Sequence, residues 1–183
     1  MANDGFDVRS RQDPLRKHYK VSPEVARITD RAITTGGTGM DPFHGKVVPG
    51  SENYGIVWPF GIHRAVGGDH DLPNPGDLLA AALAACLDST IRIIAGRMGV
   101  SLASLSVDVA ADVDVCGCLL VDREVPVGFQ EMRCHVSLKA ANGTEPQLAQ
   151  MLIAAAENCC VNLQTLRTGV RITTSTDISF GDA

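Results

Sequence analysis

The chain has 183 residues, and 16 Lys and Arg against 21 Asp and Glu leave a formal charge of −5, a size and balance that fit one globular domain. Hydrophobic residues make up 45%, charged residues 20% and aromatic residues only 4%, which excludes a wholly disordered or coiled-coil chain and demands a core of Ala, Val, Leu and Ile, packed between close helices or against a second copy. The acidic total excludes a nucleic-acid binder, since the longest basic run is Arg16-Lys17-His18, and the longest apolar run, Leu78 to Leu87, is about half of the ~20 residues that span a bilayer.

Residues 1–22 are polar, with Arg9, Arg11, Asp13, Arg16 and Lys17 close together; they read as an arm that orders only on a partner, ahead of a single domain over 23–183. The first residues are acidic and lack the basic and apolar regions of a signal peptide, so a cytoplasmic protein is expected. Val25 to Thr35 and Tyr54 to Ile62 read as strands joined by a Gly/Pro-rich loop, although Ser22-Pro23-Glu24 could start a short helix. Asn74 suits an N-cap, Pro75 the first helical position and Asp77 a capping box. The helix they start should run to about Met98, with Leu79, Leu83, Leu87, Ile91, Ile94 and Met98 on one stripe and Gly99 as the stop. It is apolar almost all round, as a central helix is.

Leu105 to Val115 and Met132 to Ala140 alternate apolar and polar residues as strands with one wet face. Asn142-Gly143 turns the chain, Thr144-Glu145-Pro146-Gln147 reads as a second capping box, and a second helix runs through Leu148, Met151, Leu152, Ala155 and Cys159 to near Gly169. Val170 to Phe180 alternates once more as a last strand. The order β-β-α-β-β-α-β, with antiparallel-type alternation, is an α+β arrangement.

No Ser-His-Asp arrangement, phosphate-binding Gly loop or two-His metal motif is present, so the six cysteines are where chemistry would lie. In a cytoplasmic chain they are not a disulfide framework. Cys86 in the first helix and Cys160 late in the second each sit amid small residues, which suits either core packing or a reactive thiol with room for a small substrate or a second sulfur. Cys116 and Cys118 would share one strand face around Gly117 and resemble half of a zinc site, but a second close pair of ligands is missing. Cys134 and Cys159 read as core, with Cys159 an alternative to Cys160. A buried thiol needs a cation to become a nucleophile. His63, Arg64, Arg92 and Arg97 are the candidates.

Gly67-Gly68-Asp69, the run from Pro73 through Cys86-Leu87, the segment Val125-Pro126-Val127-Gly128-Phe129-Gln130 and the run from Ala156 through Cys159-Cys160 to Leu166 resemble the OsmC/Ohr family. The likeness covers roughly residues 54–180. It implies an intertwined α+β homodimer with antiparallel sheets, two central cysteine-bearing helices and active sites at the subunit interface. It implies thiol-dependent reduction of organic hydroperoxides, with Cys86 peroxidatic, Cys160 resolving and Arg64 as the activating cation, or Arg31 in its place. No bound cofactor is implied. The reductant is an external dithiol, either a lipoyl group or a small thiol. One departure stands out, since the family's peroxidases carry a glutamate where this chain has Gly76. The alternative is therefore a relative that keeps the fold and both cysteines but binds a small ligand without peroxide turnover.

Overall fold

A computed structural model of the chain describes residues 7–34, 41–50 and 54–178. Helix α1 spans Val8–Val21, a 3-10 turn follows at Pro23–Ala26, and strands β1 (Ala32–Thr34), β2 (His44–Pro49) and β3 (Trp58–Gly61) form an antiparallel sheet in that order. A 3-10 turn at Arg64–Val66 leads to α2 (Pro75–Met98), then β4 (Leu102–Asp112), the one-turn α3 (Val115–Cys118), β5 (Glu131–Ala140), α4 (Pro146–Cys159) and α5 (Val161–Thr168). Strands β4 and β5 pair antiparallel, with Leu105 opposite Leu138 and Val107 opposite Val136. The α+β class and the antiparallel sheets are those expected.

Helix α2 is set by its caps. Asn74 Oδ1 accepts from the Gly76 and Asp77 amides at 2.8 and 3.2 Å, while Asp77 Oδ2 accepts from the Asn74 amide at 2.8 Å, and Gly99 closes the far end at φ +73°. By length and apolarity α2 could cross a bilayer, yet its stripe Leu83, Leu87, Ile91 and Ala95 is buried against Val100, Leu152, Ala156, Cys160 and Leu163. Away from that stripe the described residues leave part of α2 uncovered: Ile93 is 38% exposed, so α2 is central on one face only.

Several elements depart from the sequence reading. The N-terminal segment is not an irregular arm: Val8–Val21 is helical, capped by Asp7 Oδ1 on the Arg9 amide at 2.9 Å. Its Val8, Gln12, Leu15 and Tyr19 share one face through a helical spacing that the intervening charges conceal. Arg97 fastens it to the end of α2, bonding Gln12 at 3.2 Å and Asp13 at 3.0 Å, while the Arg9 guanidinium donates to the Arg97 carbonyl. Strand β2 lies where a loop was expected, because Gly45 and Pro49 read as turn residues. Gly45 is instead opposite Phe60, whose ring lies where a Cβ would stand. The Tyr54–Ile62 strand contracts to β3 and the first strand to β1, with the turn at Pro23 starting the short helix that was the alternative.

Strand β4 ends at Asp112, before Val113 and Val115, because Asp114 turns to cap α3 through the Cys116 amide at 2.9 Å. The second capping box does not form: Glu145 caps α4 without a side-chain bond, and Thr144 donates to the Ala141 carbonyl at 2.9 Å. Residues 170–178 adopt no strand pairing, and Val170, Ile172 and Ile178 are 65–80% exposed; the end of that expected strand, residues 179–180, lies outside the described residues.

Leu152 is fully buried where α4 meets α2. Leu152→Ala should cost about 2–5 kcal/mol through lost burial and a cavity, read as a lower midpoint in urea unfolding.

Candidate functional site

Cys86 sits half-buried about three turns into α2, and Cys160 is 0% exposed. Cys160 is not inside a helix, as the sequence suggested. With φ −73° and ψ 111° it ends α4 and begins α5. The break puts its sulfur in the row Leu152, Ala156, Cys160 that faces α2. The Cys160 thiol points at Cys86 Sγ across 3.3 Å, so a bond of about 2.05 Å needs an approach of little more than 1 Å. Two helices otherwise far apart in sequence thus bring the two expected residues together.

A small set of polar contacts fixes the backbone around the pair. Thr90 Oγ1 and Ser89 Oγ donate to the Cys86 carbonyl at 2.7 and 3.0 Å. Asn162 Nδ2 donates to the Ala82 carbonyl, one turn before Cys86, at 2.8 Å, tying the start of α5 to the cysteine turn of α2. Asn162 was not singled out from sequence; an amide two residues beyond Cys160 was the available signal. Burial pushes the Cys160 thiol up, and the neighbouring Cys86 sulfur adds to it, while the Leu163 amide and the Thr90 hydroxyl work the other way.

The cation is not so placed. Arg64 is exposed in its 3-10 turn, and its guanidinium makes no hydrogen bond or ion pair with another described residue, either thiol included. Arg92 pairs with Asp88 at 2.7 Å, and Arg97 pairs with Asp13 of α1 at 3.0 Å. His63 accepts from the Ala65 amide at 3.0 Å and packs on His70. Arg31 is exposed, and only its carbonyl is engaged, by the Gly50 amide.

Two grooves are lined in part by residues of α2, though by neither Cys86 nor Cys160. One of about 540 Å³ is lined by Leu83, Leu87, Phe129, Met132, Cys134 and Leu163, with the Arg167–Glu157 ion pair at 2.9 Å on its wall. A larger one of about 950 Å³ runs past Ile62, His63, Gly76, Asp77, Val113 and Phe129. Phe129 lines both. A Cβ on Gly76 would stand 3.0 Å from the Phe129 ring and 2.9 Å from Asn74 Oδ1, so ring and cap hold the space a side chain there requires.

The other cysteines fall differently from expectation. Cys134 is exposed, facing the smaller groove instead of the core; packing there pushes its thiol up, against the pull of Arg167. Cys159 is also exposed, because the chain leaves the helix after it and Cys160 continues the buried row. Cys116 and Cys118 lie on α3 and not on a strand face, and Gly117 between them is needed because Val125 and Pro126 carbonyls approach it to within 2.8 Å of a Cβ position. Among the described residues no group of three or more His, Cys, Asp or Glu side chains is placed to hold a metal.

The pairing of two thiols from a capped central helix and a broken second helix, over antiparallel sheets, defines a class. The family model of OsmC-like proteins matches residues 68–175, and the chain belongs to that family. Among solved structures it is similar to an organic hydroperoxide resistance protein, described also as a predicted redox protein, from Legionella pneumophila, at 25% identity over 76% of this chain and 90% of that one with a TM-score of 0.55. A second, from Elizabethkingia anophelis with thiocyanate bound, shares 23% identity over 78% and 91% with a TM-score of 0.58. An OsmC-like protein from Mycoplasma pneumoniae matches in fold at 12% identity, over 78% and 89%, with a TM-score of 0.61. No curated protein matches.

Because burial dominates at Cys160, its alkylation should be the slowest of the six thiols at pH 8 in the native protein. Timed labelling with iodoacetamide and peptide mass spectrometry checks this, with all six rates converging in denaturant.

Proposed function

We propose that the protein is a thiol-dependent peroxidase for organic hydroperoxides, with Cys86 peroxidatic and Cys160 resolving. The observation that carries this reading is the 3.3 Å approach of the two sulfurs, one half-buried and one fully buried. The Cys86 thiolate attacks the distal oxygen of the hydroperoxide, forming an S–O bond as the O–O bond breaks and the alkoxide takes a proton to leave as the alcohol. Cys160 then attacks the sulfenic sulfur, the S–S bond forms and water leaves. An external dithiol, lipoyl-type or small, restores both thiols by two exchanges and becomes the disulfide itself. No bound cofactor enters these steps. The reading includes a reducing, cytoplasmic setting, where thiols are kept free for such a cycle.

The reading includes a homodimer. The uncovered α2 face and the unpaired 170–178 segment are where a second copy would bury surface. Since among the described residues no guanidinium is bonded to Cys86, the activating charge is assigned to Arg64 across the subunit interface. The rival reading, a binding relative without turnover, is favoured by Gly76, which lacks the carboxylate that steadies the arginine in the family's peroxidases; a Cβ there would stand 3.0 Å from the tip of the Phe129 ring, which would have to shift to admit a side chain.

One equivalent of organic hydroperoxide should convert Cys86 and Cys160 to a disulfide within each chain, mapped by mass spectrometry of proteolytic peptides. A dominant bridge through Cys159, Cys134 or Cys116 would refute the assignment, and an unreactive Cys86 would favour the binding relative.

Sedimentation at micromolar concentration should show a dimer of the 19.4 kDa chain, and a stable monomer would remove the interface site. Arg64→Ala should raise the pH at which Cys86 becomes reactive and slow its oxidation near neutral pH by about tenfold or more, measured as peroxide consumption against pH.

A further inference from the structure

His44 opens β2 between two carboxylates. Its Nδ1 lies 2.7 Å from Asp41 Oδ2 and its Nε2 lies 3.0 Å from Asp71 Oδ1. An ionised carboxylate only accepts, so both ring nitrogens must carry protons to make both bonds, and only the imidazolium does. The titration runs the same way. The bond to Asp41 and then that to Asp71 raise the His44 pKa. The Phe43 amide and then His44 lower that of Asp41, and His44 lowers that of Asp71. Among the described residues these two carboxylates are the charged groups that act on the ring.

The bridge joins two parts of the fold. His44 is the first residue of β2 and Asp41 lies three residues before it, outside the strand, whereas Asp71 belongs to the loop that leaves β3 for the cap of α2. That loop is closed on itself by backbone bonds from the Gly61 amide to Pro73, the His70 amide to Ile62 and the Gly68 amide to His63, at 3.1, 3.1 and 3.2 Å. The His63 and His70 rings lie 4.1 Å apart across it, and His70 is held at φ +56°. It carries Arg64 and places Ile62, His63, Ala65 and Val66 on the wall of the larger groove. A neutral His44 has one N–H and loses one of its two carboxylates.

We propose that His44 is a positioning residue: as an imidazolium between Asp41 and Asp71 it holds the Arg64-bearing loop on β2, and loss of its proton releases that wall of the larger groove. Its bearing on Arg64 rests on the peroxidase reading, whereas the clasp does not. The folded pKa of His44 is raised, so the clasp is closed below it and opens as pH rises through it. The lowered carboxylates keep it closed on the acid side until pH falls through their own folded values.

The test is an NMR titration of the His44 ring in the full chain, with amide exchange at Gly68 and His70, in wild type and Asp71→Asn. The wild-type midpoint should lie above the ordinary value of about 6.5 and move down in the variant. Protection at Gly68 and His70, corrected for base catalysis, should fall roughly three- to tenfold as wild type passes that midpoint, with no such step in Asp71→Asn. A wild-type ring titrating at or below the ordinary value, or protection flat through its midpoint, overturns the proposal. Lower protection in the variant at every pH, with no step in wild type, marks a bond that is only structural and overturns it too. If the step is present while Cys86 is inert to hydroperoxide, the clasp stands and the peroxidase reading fails.

Discussion

The arrangement depends on one contact surface, the seating of the row Leu152, Ala156, Cys160 and Leu163 on the stripe Leu83, Leu87, Ile91 and Ala95. Each row recurs every three or four residues, so each lies on one side of its segment, and the two sides are nearly all of small or branched aliphatic residues. With so few rings in the chain, close approach of backbones does the work of bulk. That approach sets the distance between the two sulfurs. The sheet of β4 and β5 packs against the same helix and leaves the grooves along the edges.

A thiol at such a seam faces opposing demands. Burial protects it from adventitious reagents but disfavours the thiolate, as at Cys160, where the Leu163 amide and Thr90 only partly counter the cost. Cys86 sits on the half-buried side of the seam and Cys160 on the fully buried side. Of the arginines on α2, Arg92 pairs with Asp88 and Arg97 with Asp13 of α1.

What could be read in the sequence was what local chemistry determines. The Asn74-Pro75-Asp77 cap, the Gly99 stop, the β4 and β5 alternation and the two cysteines all depend on residues close in the chain or on a periodic stripe. The misreadings came from tertiary partners. Gly45 looked like a turn residue until Phe60 lay across it, Val8 to Tyr19 looked irregular until α2 offered a surface, and Cys159 and Cys160 were indistinguishable until the helix broke between them. The family resemblance carried the roles of the cysteines, but it could not show that Phe129 fills the space beside Gly76.

The break at Cys160 bears on how far a change at the sulfurs can travel. A cysteine locked inside a helix can approach a partner only by dragging the helix or straining its own rotamer, and the shift then spreads through every residue packed on that helix. Cys160 is a single non-helical joint between two short rods, with Asn162 pinning the second rod to Ala82 just beyond it. Rotation about that one residue is a local way to bring the two sulfurs closer, one that leaves the packing of α4 and α5 on α2 in place.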